Sequence, residues 1–356
     1  MNDFIVIGGG IAGLSVAAAL AEHGQVTLLE AEPSLGYHSS ARSAALTEKN
    51  YGAPSVCALN EASFDALDAG GYLSPRGLLI VGTNSEEEAF AADLDTMQAE
   101  RISLEEAQRM VPILATDKIG AAGYHAEAFD IDTDLLMQDL GRRLRQLGGS
   151  VHLAEKVTAV SKSAFGWQVM GTTRMFDAKV VVNAAGAWAD QIAVMAGVAP
   201  LSIIAYRRSM ARIPAPAGHD VSRWPMFFGV GESWYAKPDA GALLVSPAEE
   251  DPVAPHDAWG DDMRIAEGLD RYSAVVTEPV KRVMTTWGGL RSFAPDRTLV
   301  LGPDPDVPDF VWCAGQGGYG FQTTPAAAKL VASLVTGAPS GLPDHVVVAL
   351  QPDRLR

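Results

Sequence analysis

The chain has 356 residues, of which 48% are hydrophobic and 20% charged, and a formal net charge of −16. This length suits two globular domains, and the negative charge argues against nucleic acid or an anionic membrane surface as a partner. Two distant cysteines and seven scattered histidines indicate neither a disulfide framework nor a metal site, which favours a reducing, cytoplasmic location.

The first apolar segment, FIVIGGGIAGLSVAAALAEHGQVTLLEAE, could be a membrane anchor, a buried helix or the start of a nucleotide-binding domain. Clustered glycines and the interruption by Glu22, His23 and Gly24 argue against an anchor. A signal peptide is not expected, because no positive charge precedes the segment and no small-residue cleavage pattern follows it. The order of residues predicts a unit of strand, turn, helix and strand: strand 4–7, the turn Gly8-x-Gly10-x-x-Gly13, helix 14–22 ended by Gly24, and strand 26–29. Glu30 follows, where an acidic residue would bind an adenosine ribose. We interpret the segment as a dinucleotide-binding unit; the alternative is a plain βαβ unit.

Short helices and strands alternate over the following residues, up to 183. The segment GYHSSARSAA (36–45) is too small and polar for a core element. Ser103 and Glu106 have the spacing of a capping box, which predicts a helix that Pro112 ends. Asp132 or Thr133 is predicted to cap a helix that runs to residue 147. Further helices are predicted over 60–67 and 85–100, and strands over 76–81, 150–153, 156–161, 166–170, 174–177 and 179–183.

A sheet-like pattern begins near residue 203 and gives way to an α/β pattern near residue 310. IIAYRRSMARI alternates like a strand, and SWYAKPDAGALLVSP predicts a hairpin around 238–241. A short helix over 267–272 precedes strand 310–314, a glycine-rich turn and helix 325–336. The predicted fold is α/β, with a discontinuous Rossmann-type dinucleotide-binding domain over 1–74, 128–203 and 288–356. Residues 75–127 and 204–287 would form an α+β domain on a largely antiparallel sheet.

The second glycine-rich segment, GQGGYGFQTTPAAAKL, bears on which dinucleotide is bound. The N-terminal fingerprint is compatible with both NAD and FAD. The second segment enters a helix whose N-terminus carries about half a positive charge, which would stabilise an anionic reduced flavin. A nicotinamide site has no need of this second positive end, so FAD is the expected cofactor.

Five segments, VIGGGIAGLSVAAALA, GYHSSARSAA, VVNAAGAWAD, WGGLRSF and GQGGYGFQT, resemble the D-amino-acid oxidase and dehydrogenase family of flavoproteins. Within that family the resemblance is strongest to bacterial D-arginine dehydrogenases, and it extends over essentially the whole chain. It implies noncovalent FAD in a two-domain fold and a small amino-acid substrate bound between the flavin and a sheet domain. The electron acceptor, whether quinone, dye or oxygen, is left open.

The resemblance also implies which residues hold the cofactor. Gly8, Gly10 and Gly13 would bind the pyrophosphate, Glu30 the ribose, and the backbone of Val157 the adenine. Residues along the flavin and at its pyrimidine side would be Arg42, Ser43 and Ala44, and Gly318, Phe321 and Gln322. For Arg42 the alternative is a cation of a surface loop.

Tyr51, Arg208, Tyr235 and Arg291 are the substrate contacts that the resemblance implies. A carboxylate in a dry pocket needs a partner, and a guanidinium offers two parallel charge-assisted hydrogen bonds. We expect Arg291, which follows two glycines, to bind this carboxylate; the alternative is a salt bridge between domains. Arg207 and Arg208 would point to opposite faces of a strand, so that one enters the pocket and the other meets solvent. Both tyrosines could instead be core aromatics.

Two positions depart from the D-arginine dehydrogenases. Leu46 replaces a histidine near the substrate amine, and Leu78 replaces a glutamate that pairs with a basic side chain. We therefore expect both leucines to line the side-chain pocket and the substrate to have a neutral or apolar side chain. The matched motifs contain no obvious base, so solvent is expected to take the amine proton. Alternative functions are a dehydrogenase of secondary amines or 2-hydroxy acids, and a noncatalytic FAD subunit that relays electrons.

Overall fold

A computed structural model of the chain describes residues 2–356, which contain twenty β-strands and nine α-helices. The strands in chain order are β1 (Asn2–Ile7), β2 (Val26–Leu29), β3 (Leu46–Glu48), β4 (Leu73–Pro75), β5 (Leu78–Gly82), β6 (Glu100–Ile102), β7 (Ala121–His125), β8 (Ala128–Ile131), β9 (Ser150–His152), β10 (Ala159–Ser163), β11 (Gly166–Met170), β12 (Met175–Asn183), β13 (Ile204–Pro214), β14 (Met226–Gly229), β15 (Tyr235–Asp239), β16 (Ala242–Ser246), β17 (Asp251–Val253), β18 (Thr285–Phe293), β19 (Val300–Pro303) and β20 (Phe310–Ala314). The helices are α1 (Ile11–Leu20), α2 (Pro54–Ala69), α3 (Glu87–Met97), α4 (Leu104–Met110), α5 (Thr133–Gln146), α6 (Ala189–Met195), α7 (Asp262–Ala274), α8 (Thr324–Thr336) and α9 (Asp344–Leu350). No helix within residues 2–356 is long and apolar enough to cross a membrane.

The first sheet carries the N-terminal unit at its centre. Strands β9, β2, β1, β12 and β20 lie side by side in this order, and each neighbouring pair is parallel. Strands β10, β11 and β19 extend the sheet through antiparallel pairs. The alanine-rich faces of α1 and α8 pack on the apolar central strands and bury them. The carboxyl ends of the parallel strands therefore meet at one edge, where ligands of open α/β sheets bind.

The second sheet is largely antiparallel. Its strands run in the order β18, β13, β16, β15, β14, β5, β7 and β6, and β17 pairs with the first residues of β13. Strands β14 and β5 form a parallel pair within this sheet. One face packs against α4 and α7, and the other packs against the segment that contains β3. Strands β3, β8 and β4 form a smaller third sheet.

The predicted domain boundary at residue 288 falls inside β18. This strand pairs with β13 along its whole length, from Thr285 opposite Arg212 to Phe293 opposite Ile204. The strand therefore continues the second sheet beyond that boundary. The domain boundaries as a set stay a prediction.

Several predicted elements have different ends in the structure. Helix α1 begins directly after Gly10 and ends at Leu20, with Ala21 rather than Gly24 at its C-cap. The predicted strands 174–177 and 179–183 are the single strand β12. The predicted helices 60–67 and 267–272 are the longer helices α2 and α7, because local patterns mark the centre of a helix better than its ends.

The capping box and the hairpin are confirmed. Glu106 N–H donates to the Ser103 hydroxyl at 3.2 Å, and Ser103 N–H donates to Glu106 Oε2 at 2.9 Å. Asp132 caps α5 by accepting from Leu135 N–H at 2.9 Å. Strands β15 and β16 pair as an antiparallel hairpin. These motifs depend on residues three or four positions apart, which explains why the sequence alone predicts them.

Candidate active site

A cavity of about 370 Å³ lies between the turn after β1 and the second sheet. Segments that are far apart in the sequence form its walls. The predicted residues that line it are Gly8, Gly10, Glu30, Arg42, Ser43, Ala44, Val157, Arg208, Tyr235, Arg291, Gly318, Phe321 and Gln322. Gly13 and Tyr51 are not among the lining residues, and the Tyr51 hydroxyl adjoins the wall through Arg291. The structure thus brings most of the predicted site residues to one cavity.

Gly13 lies in the first turn of α1, and a Cβ atom there would be 1.9 Å from the carbonyl oxygen of Gly8. A glycine at this position therefore lets α1 begin close to β1, which is the packing role of the third glycine in this fingerprint. Gly13 shapes the turn that Gly8 and Gly10 present to the cavity, instead of lining the cavity itself.

The N-terminus of α1 and the end of β2 form one end of the cavity. Gly9 N–H donates to Glu30 Oε2 at 2.6 Å, and Glu32 N–H donates to Glu30 Oε1 at 2.9 Å. Ile11 N–H donates to the Ser40 hydroxyl at 3.0 Å. The Glu30 carboxylate is therefore fixed beside the positive end of a helix, an arrangement that suits a ribose hydroxyl and a diphosphate.

Arg42 anchors the cavity wall to the second sheet. Its Nη1 donates to the carbonyl oxygens of Ala258 at 2.7 Å and Gly288 at 2.9 Å, and its Nη2 pairs with Asp257 Oδ1 at 2.5 Å. This hydrogen bond holds the pKa of Asp257 below its usual range. Arg42 is thus a largely buried anchor and not a free cation of a surface loop.

Lys237 supports the segment that the predicted residues Ser43 and Ala44 belong to. Its Nζ donates to the carbonyl oxygens of Ala44 at 2.5 Å and Ala45 at 3.1 Å, and pairs with Asp130 Oδ1 at 2.8 Å. Burial lowers the pKa of Lys237. The sequence offers no signal for this role, because the lysine lies in a hairpin almost two hundred residues from the segment it holds.

Gln322 presents a buried donor at the other end of the cavity. Its Oε1 accepts from Glu48 N–H at 3.1 Å, and its side chain is 3% exposed. Its Nε2 has no hydrogen-bond partner among residues 2–356. A buried donor needs an acceptor, and a ligand in the cavity can supply one. This donor, the α8 N-terminus beside it and the α1 N-terminus fit FAD, a ligand with ring acceptors at one end and a diphosphate in its middle.

Arg208 and Arg291 lie on the same face of the second sheet. In the register of β13 and β18, Arg208 stands opposite Gly289 and Arg291 opposite Tyr206. The two arginines are therefore diagonal neighbours across adjacent strands. Arg291 Nη1 donates to the Tyr51 hydroxyl at 3.2 Å. Burial raises the pKa of Tyr51 to about 12, so this hydroxyl keeps its proton at neutral pH.

The two consecutive arginines of β13 have different environments. Arg208 is 7% exposed; its Nη2 pairs with Glu250 at 3.2 Å, while its Nε and Nη1 have no partner in the part of the chain that the structure describes. Arg207 points to the opposite face and pairs with Asp251 at 3.2 Å and Asp261 at 2.9 Å. The expectation that Arg207 meets solvent is wrong, because acidic residues of neighbouring segments cover it.

The two leucines that replace polar residues are placed differently. Leu46 lines the cavity together with Tyr235, which is buried on β15. Leu78, 4% exposed on β5, packs in a cluster with Leu46 and Tyr235 but does not line the cavity. The hypothesis that both leucines form the side-chain pocket is corrected: Leu46 faces the cavity and Leu78 supports it from behind.

Glu232 is a further polar residue at this site, and no sequence motif contains it. It lies in the loop between β14 and β15, and its Oε2 accepts from the Tyr51 hydroxyl at 3.3 Å. Its backbone has φ of 51°, in the left-handed region that residues other than glycine rarely adopt. The fold brings this carboxylate to Tyr51 from a position 181 residues away.

Comparison with known proteins identifies the family. A model of the DAO family, described as FAD dependent oxidoreductase, matches residues 3–334. Peroxisomal sarcosine oxidase of Homo sapiens is 27% identical over 369 residues, which cover 93% of this chain and 91% of that protein. The crystal structure of L-proline dehydrogenase from P. horikoshii matches with a TM-score of 0.84 at 22% identity. The match covers 99% of this chain and 97% of the chain of that structure. Glycine oxidase from Geobacillus kaustophilus has a TM-score of 0.83 at 21% identity, with 96% of both chains covered. These two structures share the fold, and because the family model spans nearly the whole chain, the protein belongs to the DAO family and is an FAD-dependent oxidoreductase.

Proposed function

We propose that the protein oxidises the Cα–N bond of an amino acid, with a D-amino acid as the expected substrate, to the imino acid. Water then releases a 2-oxo acid and ammonia. The observation that carries this proposal is the pair of guanidinium groups, Arg208 and Arg291, on one sheet face in the wall of the cavity. A carboxylate that leaves water needs such a partner, and Arg208 can supply it from Nε and Nη1, two nitrogen atoms that have no partner within residues 2–356.

The chain's own residues would bind and orient the reactants. FAD would supply the redox chemistry, with its N5 as the expected acceptor of a hydride from the substrate Cα. Glu30 and the α1 N-terminus would hold the ribose and diphosphate, while Gln322 would donate to an acceptor of the ring. Arg291 and Arg208 would fix the substrate carboxylate, and this fixed orientation brings Cα to the reacting position.

Relatives support an amine donor. The names of peroxisomal sarcosine oxidase, glycine oxidase and L-proline dehydrogenase refer to amino acids with primary or secondary amines. A dehydrogenase of a secondary amine is therefore the second candidate, and it would keep the arginines while changing the contacts to the amine. A 2-hydroxy acid is a further alternative of the same kind. A noncatalytic electron-relay subunit has no need for a carboxylate site, which argues against that alternative.

A turnover screen tests the proposal. Purified protein is assayed with D- and L-amino acids, sarcosine, proline and 2-hydroxy acids, with a dye and with oxygen as electron acceptors. We expect turnover of D-amino acids with neutral side chains and release of ammonia. Two outcomes would contradict the proposal: an enzyme that oxidises only 2-hydroxy acids, and an enzyme that oxidises none of these donors. The same screen reports which acceptor is used; the cytoplasmic location stays a prediction.

The purified protein is expected to be yellow and to release FAD, and not FMN, on denaturation. The reason is that the cavity joins a diphosphate-binding helix end and the ribose partner Glu30 to the donor of Gln322. The measurement is chromatography of the released cofactor against FAD and FMN standards. A colourless protein that binds NAD tightly and no flavin would contradict both the cofactor and the reaction.

Gly318→Ala is expected to raise KM about threefold to tenfold, since even small displacements of a positioning group are costly. A Cβ atom at this position would lie 3.1 Å from Cζ and Nη1 of Arg291, so the guanidinium must move. Steady-state kinetics measure the effect. Gly141→Ala is the matched control, because its Cβ would meet only Arg145 atoms at 3.6 Å or more. An unchanged KM in Gly318→Ala would show that the substrate does not depend on the position of Arg291.

A further inference from the structure

Three polar groups form a continuous hydrogen-bonded chain beside the cavity. Arg291 Nη1 donates to the Tyr51 hydroxyl oxygen at 3.2 Å, and the Tyr51 hydroxyl donates to Glu232 Oε2 at 3.3 Å. Tyr51 and Glu232 are both half-buried, and the neighbouring Gly231 is exposed. These hydrogen bonds therefore connect Arg291, in the cavity wall, with the Glu232 carboxylate, which solvent can reach.

The spacing at the inner end of this chain suits an α-amino acid. The amino and carboxylate groups of such a substrate are separated by a single carbon atom, and Arg291 Nη1 and Tyr51 Oη are 3.2 Å apart. A substrate whose carboxylate binds the Arg291 guanidinium can therefore bring its nitrogen to the Tyr51 oxygen. The phenolic oxygen can accept a hydrogen bond there while its own proton is directed to Glu232.

We propose that Tyr51 and Glu232 form a proton relay that removes one proton from the substrate ammonium group. This inference rests on the proposed oxidation of an amino acid. The substrate N–H bond breaks as its proton moves to Tyr51 Oη, and the phenolic proton moves to Glu232 Oε2 in the same step. Tyr51 ends neutral, as it began, Glu232 ends as the carboxylic acid, and the amine keeps the electron pair. Water then takes the proton from Glu232, so solvent remains the final acceptor.

The loop that carries Glu232 holds the carboxylate toward Tyr51. Gly231 and Glu232 both have positive φ, of 64° and 51°, and Gly231 N–H donates to Asp93 Oδ2 on α3 at 2.8 Å. This contact fixes the turn that directs Glu232 inward. The titratable and charged groups around the relay of Tyr51 and Glu232 are Arg291, Arg208, Tyr235, Tyr319, Arg297, Asp93 and Glu250.

Glu232→Gln separates a relay from a merely structural role. The glutamine amide oxygen can still accept from Tyr51, so the hydroxyl stays in position, but the amide cannot take a proton at neutral pH. We expect the rate of flavin reduction at pH 7 to fall about 10- to 100-fold. This loss is smaller than the usual effect of removing a general base, because water can take the proton in place of Glu232. The defect should shrink to within about twofold at a pH one unit above the pKa of the free substrate's ammonium group, where the amine enters already neutral.

The experiment uses the FAD-loaded enzyme in stopped-flow pH jumps, with the best amino acid from the turnover screen. Tyr51→Phe should show the same pH-dependent defect, and the double variant should be no slower than Tyr51→Phe alone, because both residues act in one path. Glu88→Gln, an exposed change on α3 that also removes one carboxylate, should match the wild type at every pH. FAD content and Tm of each variant show that the fold is kept.

The outcomes distinguish this inference from the proposed function. A wild-type enzyme that turns over no amine donor would overturn the proposed function and the relay together. A wild-type enzyme that turns over, combined with a Glu232→Gln defect that is absent or equal at all pH values, would overturn the relay alone. A defect that disappears as the substrate amine becomes neutral supports the relay.

Discussion

Arg291→Met is expected to lower kcat/KM by about 10- to 100-fold or more. Loss of a hydrogen bond to a charged group costs about 1.5–3 kcal/mol, and each 1.36 kcal/mol corresponds to about tenfold in rate. The guanidinium stands in the cavity wall and donates to Tyr51, so its removal also takes away the donor to the hydroxyl oxygen of that tyrosine. Steady-state kinetics with the preferred amino acid and a dye acceptor measure the effect, while FAD content and Tm should change little.

Arg212→Met is the matched control for this variant. Arg212 lies on β13, in the same sheet, but it pairs with Asp239 at 3.4 Å and does not line the cavity. Its replacement should therefore leave kcat/KM within about twofold, as is usual for surface ion pairs. If Arg291→Met keeps full activity, Arg291 serves as a structural partner of Tyr51 and Arg208 becomes the carboxylate ligand. Arg208→Met would then show the loss.

A D-amino acid with a neutral side chain, such as D-leucine, is expected to exceed D-arginine by about tenfold or more in kcat/KM. A cationic side chain against Leu46 would lose its hydration without gaining a counter-charge, at a cost of several kcal/mol. An apolar side chain would instead gain about 25 cal/mol per Å² of buried surface. Side-by-side kinetics with the two substrates measure the preference. A clear preference for D-arginine would mean that a carboxylate, with Glu232 the first candidate, faces the side chain.

Substitutions at the two leucines test which of them contacts the substrate. Leu46→Glu should shift the preference toward D-arginine, because Leu46 lines the cavity, and Leu46→Gln is its uncharged control. Leu78→Glu should lower Tm without a comparable shift, since Leu78 is packed among apolar residues and the glutamate would be buried without a partner. A specificity shift in Leu78→Glu alone would contradict the assignment of Leu46 as the cavity wall.

The sequence by itself determined the features that depend on neighbouring residues. The turn from Gly8 to Gly13, the acidic residue after β2 and the capping box at Ser103 all follow from backbone sterics and hydrogen bonds within a few positions. The alternation of apolar residues likewise predicted β13, and the turn residues 238–241 predicted the hairpin of β15 and β16. The match of several such segments, in order, was enough to predict the fold class and FAD.

Only the tertiary structure decided which distant side chains meet. The register of β13 and β18 sets Arg208 and Arg291 on one face, and a one-residue slip would have turned either away. The loop of Glu232 has no motif, yet packing against α3 directs its carboxylate to Tyr51. Leu78 shows the converse. Its position in the sequence matches a residue that contacts the substrate in the D-arginine dehydrogenases, yet its side chain packs behind the cavity wall. Long-range pairing and packing control these positions, because local sequence constrains backbone conformation but not the neighbours that the fold brings together.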